Sequence, residues 1–145
     1  VEMDEMIVSL DNELRVIGNN IPNINSGGCG QFAILLWDEL FQLDMTAEAI
    51  VFTDKVPVWE IYHVALKWNG LYFDSDGVHE NMAEYGFTIE ERIPLDVLKA
   101  EAEDANLWSD KFDRSRTPQL KIALHALGSK LLTQKRETEL LAVNF

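Results

Sequence analysis

Apolar residues recur at helical spacing from about Met3 to Ile17: Met3, Met6, Ile7, Leu10, Leu14 and Ile17 share one face, with acids and Asn12 on the other. This pattern predicts an amphipathic first helix. It gives way to Gly18-Asn19-Asn20-Ile21-Pro22-Asn23-Ile24-Asn25-Ser26-Gly27-Gly28, a run of turn formers in which Pro22 forbids a helix. Helical spacing resumes at Cys29. Phe32, Leu36, Leu40 and Leu43 form a stripe while Asp38, Glu39 and Gln42 point away, predicting a second helix to about Leu43 with one buried side.

The period then shortens. Ala49 to Phe52 is a short β-type run, followed by a turn at Thr53-Asp54-Lys55 and by Pro57. Trp59 to Trp68 is rich in β-branched, aromatic and apolar residues, and Asn69-Gly70 is the preferred two-residue type I′ turn into Leu71-Tyr72-Phe73. With Trp68 opposite Leu71, Asp74 at the end of the partner strand falls opposite Ala65, and Asp76 would face His63 if pairing continued. His63, expected in mid-strand, shares a face with Ile61 and Ala65. Tyr62, Val64, Leu66 and Trp68 form the more apolar face, expected to be the core side.

Beyond Gly77 a short polar stretch carries His79, and Phe87-Thr88-Ile89 suggests a last strand. Ile93-Pro94-Leu95 is expected to open a third helix, with Leu95, Leu98 and Ala102 on one side. Residues 106–116 are charged and expected to be loop. Thr117-Pro118 has the form of an N-cap followed by proline at the first helical position, and Leu120, Leu124, Leu127 and Leu131 continue at helical spacing. No internal repeat, low-complexity tract or linker interrupts the pattern, so residues 1–145 are expected to form a single domain.

Composition narrows the function classes. Hydrophobic residues make up 47% of the chain and charged residues 26%, the balance of a soluble globular domain rather than a disordered one. Apolar runs such as Ala33-Ile34-Leu35-Leu36-Trp37 are far too short to span a bilayer, so no membrane crossing is expected. The first residues lack the basic start and apolar centre of a signal peptide, which makes a cytoplasmic location the expectation. A net charge of −13 repels a phosphate backbone and argues against nucleic acid as a partner. Nothing in the sequence fixes the oligomeric state.

The candidate chemistry centres on Asn25-Ser26-Gly27-Gly28-Cys29-Gly30-Gln31-Phe32, which places the only cysteine among glycines at the start of a helix. Unpaired backbone N–H groups there favour the thiolate, and glycines let a ligand approach closely. Cys29 is therefore a candidate nucleophile, His63 the base that holds its proton, and Asp74, with Asp76 as competitor, the acid that orients the imidazole. The Cys29 N–H is the natural first oxyanion donor, and a second could come from Asn23 to Ser26. Cys29, His63, His79 and an aspartate could be written as a metal set, but close ligand pairs of the C-x-x-C or H-x-x-x-H kind are missing. Neither a metal nor a cofactor is expected. His79, on a loop, and His125, beside the apolar stripe of the last helix, are expected to carry no chemistry.

A glycine-rich loop, a cysteine heading a helix, His63-Val64-Ala65-Leu66 on a strand, the Asn69-Gly70 turn and then Tyr72-Phe73-Asp74 resemble the transglutaminase-like branch of the papain-like cysteine peptidase superfamily. The likeness covers about Asn25 to Gly77. It implies an α+β fold in which the nucleophile helix packs on a small antiparallel sheet with flanking helices. It also implies a Cys29-His63-Asp74 triad and a hydrolase or acyl transferase that acts on a peptide or amide substrate through a Cys29 thioester. The family's tryptophan near the nucleophile or after the histidine is absent, since Gln31-Phe32 follows Cys29-Gly30 and Val64 follows His63. The alternative from another class is an inactive papain-like fold serving as an acidic protein-binding module.

Overall fold

A computed structural model describes residues 3–25, 27–53, 63–86, 89–103 and 112–143. Helix α1 (Met3–Asn20) is followed by α2 (Cys29–Gln42) and by the strands β1 (Glu48–Thr53), β2 (His63–Trp68), β3 (Leu71–Asp74) and β4 (Gly77–His79). A 3₁₀ turn at Ala83–Tyr85 leads to β5 (Ile89–Ile93), α3 (Leu95–Glu103), a second 3₁₀ turn at Arg114–Arg116 and the long α4 (Thr117–Val143). The class is α+β. The five strands form one sheet in the order β4-β3-β2-β1-β5, and every neighbouring pair is antiparallel.

Alternation in the strands separates two apolar layers. Ala49, Val51, Val64, Leu66 and Phe73 point toward the helices and join Leu10 and Leu14 of α1, Phe32, Leu36 and Leu40 of α2, and Leu120, Leu124, Leu127 and Leu131 of α4 in the main core. Ile50, Phe52, Ala65 and Tyr72 point the other way and form a smaller cluster with Met82 and Tyr85. Helix α2 lies across β2 and β3, flanked by α4 and α3, while α1 packs on α4 and on the edge strand β4. Among the described residues no helix is long and apolar enough to cross a membrane.

The hairpin follows the expected register. Trp68 pairs with Leu71 and Leu66 with Phe73, and Asn69 and Gly70 take the positive φ angles of 51° and 78° that a type I′ turn needs. The described part of β2 begins at His63; residues 54–62, including the expected Thr53-Asp54-Lys55 turn beyond its first residue and the start of the strand at Trp59, lie outside the described residues.

Other boundaries differ from the sequence pattern. Gly77 to His79 is not loop but a third antiparallel partner, with Tyr72 opposite His79 and Phe73 opposite Val78. The last strand runs to Ile93 along β1, and α3 starts at Leu95, with the Pro94 carbonyl accepting from Leu98 N–H. Glu90, Glu91 and Arg92 hide this strand from any alternation test, and the charges suit an exposed edge. Phe87 and Thr88 lie outside the described residues, as do 104–111. Thr117 is already helical rather than a cap; Asp113 caps the preceding 3₁₀ turn by accepting from Ser115 N–H.

Helix α1 runs through Gly18, which the sequence pattern treats as its end. The glycine serves a close approach instead: a Cβ there would lie 2.1 Å from the Ser75 carbonyl oxygen. Two turns earlier Asp11 Oδ1 accepts from Val78 N–H at 2.7 Å. Helix α1 thus grips the β3–β4 turn directly after Asp74. Gly18→Ala is expected to cost about 1–3 kcal/mol of stability by overpacking this contact; urea denaturation measures it, and a variant as stable as the parent would show that the grip is loose.

Candidate active site

Helix α2 begins on glycine because nothing larger fits. A Cβ on Gly28 would lie 2.7 Å from the Ile24 carbonyl oxygen and 2.8 Å from the Phe112 ring, and Gly27 has a φ of 116°. Gly28 caps the helix without a side-chain hydrogen bond, its carbonyl accepting from Phe32 N–H at 2.9 Å. The Cys29 N–H is among the first amides of the helix, which have no intrahelical acceptor. No acid occupies the first turn, so the positive end of the helix dipole is uncompensated by its own side chains at Cys29.

His63 and Asp74 meet across the β2–β3 hairpin. Nε2 of His63 lies 2.8 Å from Oδ2 of Asp74, and both side chains are buried. Cys29 is within hydrogen-bonding reach of the same imidazole. With Nε2 taken by the carboxylate, Nδ1 is the ring nitrogen left to face the sulfur. The two groups arrive from different layers: Cys29 belongs to the helix-side core, whereas His63 has the parity of Ala65 on the other face of the sheet. They meet beside the N-terminal end of α2, where the described part of β2 begins.

A second layer of contacts fixes the acid. Oδ1 of Asp74 accepts from Asp76 N–H at 2.9 Å and lies 2.8 Å from Nε2 of His79. The Tyr85 ring stacks on His63 with centroids 6.1 Å apart and planes 11° from parallel, and meets His79 edge-on at 5.5 Å. Phe52 flanks His63 at 6.2 Å. The loop before α2 is tied to the same turn: Ser75 donates to Asn25 Oδ1 at 2.8 Å, and Asn25 Nδ2 donates to Asp76 at 3.3 Å.

Burial is the largest influence on the His63 pKa and pushes it down. The hydrogen bond to Asp74, the hydrogen bond and charge of Cys29, and the charge of Asp74 outweigh it and raise the value to about 9. For Asp74 burial is again the largest influence and pushes upward, but the hydrogen bonds and charges of His63 and then His79 leave its carboxyl below the usual range. The pair therefore favours imidazolium beside carboxylate at neutral pH.

Cys29, His63 and Asp74, singled out from the sequence, converge at one place. Asp76 is exposed, and its carboxylate bonds Asn25 and Tyr85 rather than His63. Asn25 is committed to the β3–β4 turn, so it is not a ready second oxyanion donor; Ser26 lies outside the described residues. His79 departs from the expectation of a loop residue without chemistry, because the short strand β4 brings it onto Asp74. The one signal for it was its place five residues after that acid. His125 is exposed on α4 and pairs with Glu39 at 2.8 Å, away from this site. Among the described residues no three His, Cys, Asp or Glu side chains are grouped to hold a metal ion. No protein-family model, curated protein or solved structure matches the chain.

The histidine pKa has a consequence for stability. Its folded value of about 9 exceeds the ordinary 6.5, so the stabilisation it brings is complete below pH 6.5 and is lost as pH rises through about 9. The unfolding free energy of the wild type, measured against His63→Gln by denaturant titration at several pH values, should lose ground over that window. A difference that stays flat or widens would contradict the pairing.

Proposed function

We propose that this chain is a papain-like cysteine hydrolase or acyl transferase that acts on an amide or peptide bond through a thioester at Cys29. The observation that carries the reading is the buried His63–Asp74 pair at 2.8 Å with Cys29 in reach of the same imidazole. The sequence likeness to the transglutaminase-like branch agrees with it: the cysteine heads a helix laid across an antiparallel sheet, the histidine lies on one hairpin strand and the acid ends the next. A single free thiol suits a reducing compartment, and we place the reaction in the cytoplasm.

In this mechanism the Cys29 proton already rests on the His63 imidazolium, and Sγ adds to the substrate carbonyl carbon as thiolate. The resulting oxyanion accepts from the Cys29 N–H at the helix start. As the tetrahedral intermediate collapses, the C–N bond breaks and Nδ1 returns its proton to the departing amine, leaving a thioester. A water or amine acceptor then gives its proton to Nδ1 while adding to the thioester carbonyl, and collapse of that second intermediate expels Sγ as thiolate beside the imidazolium. Asp74 holds the imidazole by Nε2 throughout and stabilises its charged form, as the acid does in other nucleophile–histidine–acid sites.

Cys29 and His63 each keep only 5% of their surface exposed, so the reagent in a first test must be small. Iodoacetamide is expected to alkylate Cys29 rapidly near neutral pH, and His63→Ala should slow the reaction by about 100-fold or more, the usual scale of base assistance. Mass spectrometry follows the adduct. An ordinary thiol rate that His63→Ala leaves unchanged would favour the inactive acidic binding module instead.

A further inference from the structure

We propose that His79 is a positioning residue of this site, holding the Asp74 carboxylate from the side opposite His63. The inference rests on the reading of Cys29, His63 and Asp74 as the reacting set, and it adds a fourth side chain. His79 ends β4 directly opposite Tyr72 of β3, on the sheet face that carries His63 and Asp74. Its Nε2 lies 2.8 Å from Oδ1 of Asp74, while Oδ2 lies 2.8 Å from Nε2 of His63.

An ionised carboxylate only accepts hydrogen bonds, so both imidazoles present N–H to it. Held at one oxygen alone, the carboxylate could swing about its Cβ–Cγ bond and carry His63 with it. Held at both, by His63 on one oxygen and by His79 and the Asp76 N–H on the other, it has one orientation. The bonds are charge-assisted and nearly dry, with Asp74 only 2% exposed, which is where such bonds are strongest. The charged and titratable groups around His79 are Asp74 and Tyr72 from β3, Tyr85 from the 3₁₀ turn, and Asp11 and Arg15 of α1, which border Gly77 two residues away. Of these, Asp74 hydrogen-bonds the base of the proposed reaction and Tyr85 stacks on it.

The test compares wild type, His79→Ala, His79→Gln and His63→Ala by the rate of Cys29 alkylation as a function of pH. Removing the side-chain donor and leaving only the Asp76 N–H on Oδ1 should slow the reaction near neutral pH by about tenfold, the worth of one charge-assisted hydrogen bond. It should also bring the alkaline limb, set by His63, below its wild-type position. His79→Gln places an amide N–H near the same oxygen and should recover most of the rate and the limb. Should His79→Ala not fold, His79→Asn, whose shorter amide stops short of the carboxylate, takes its place. An alkaline limb that stays put or rises, or a glutamine variant no better than alanine, would overturn the proposal, because a residue that merely packs does not move the base. If His63→Ala slows alkylation while His79→Ala does not, only this inference fails. If His63→Ala has no effect, the reading beneath it fails and this one falls with it.

Discussion

The structure turns on one buried carboxylate. Asp74 ends β3 almost out of contact with water, and an anion so placed is tolerable only if its oxygens are fully engaged. Two imidazoles and a backbone amide engage them. The same requirement that makes the acid stable in the fold fixes His63 in angle, with Nε2 toward the acid. Burial by itself would leave His63 neutral. The acid and the sulfur reverse that balance, so the local electrostatics depend on the hairpin register that brings Asp74 across from Ala65.

The scaffold around the carboxylate is correspondingly close-packed. Helix α1 presses Gly18 against the Ser75 carbonyl and caps Val78 N–H with Asp11, which fixes the turn after Asp74 from below. Asn25 ties the loop before α2 to the same turn through Ser75 and Asp76. Gly28 lets α2 begin where a side chain would strike Ile24 and Phe112. The start of the cysteine helix and the end of the acid strand are thus referenced to one short turn. That common reference allows a sulfur from the helix layer to meet an imidazole from the opposite face of the sheet.

Much of this was legible in the sequence because strong local rules governed it. The helical stripes of α1, α2 and α4 need only burial of Leu10, Leu14, Phe32, Leu36, Leu40 and Leu124 to be satisfied. Asn69-Gly70 dictates a turn, and the turn dictates which residue faces which. What escaped depended on tertiary contacts. Strand β4 is three residues long and exists through pairing with β3 and support from α1, so the sequence alone presents His79 as a loop residue. Strand β5 carries three consecutive charged residues and has no period to read. Gly18 reads as a helix end because a close approach to a carbonyl fifty-odd residues away leaves no trace in local sequence. Capping likewise moved to Asp113, since a 3₁₀ turn leads into α4 without a break.

The central claim is that the Cys29 sulfur adds to a carbonyl carbon while His63, held by Asp74, manages the proton. A crystal structure of the chain soaked with a peptide aldehyde measures this most directly. The account predicts a covalent hemithioacetal on Sγ of Cys29, its oxygen accepting from the Cys29 N–H, with the His63–Asp74 hydrogen bond retained. An intact site that leaves the aldehyde unbound, or an adduct formed with His63 turned away from the sulfur, would contradict it.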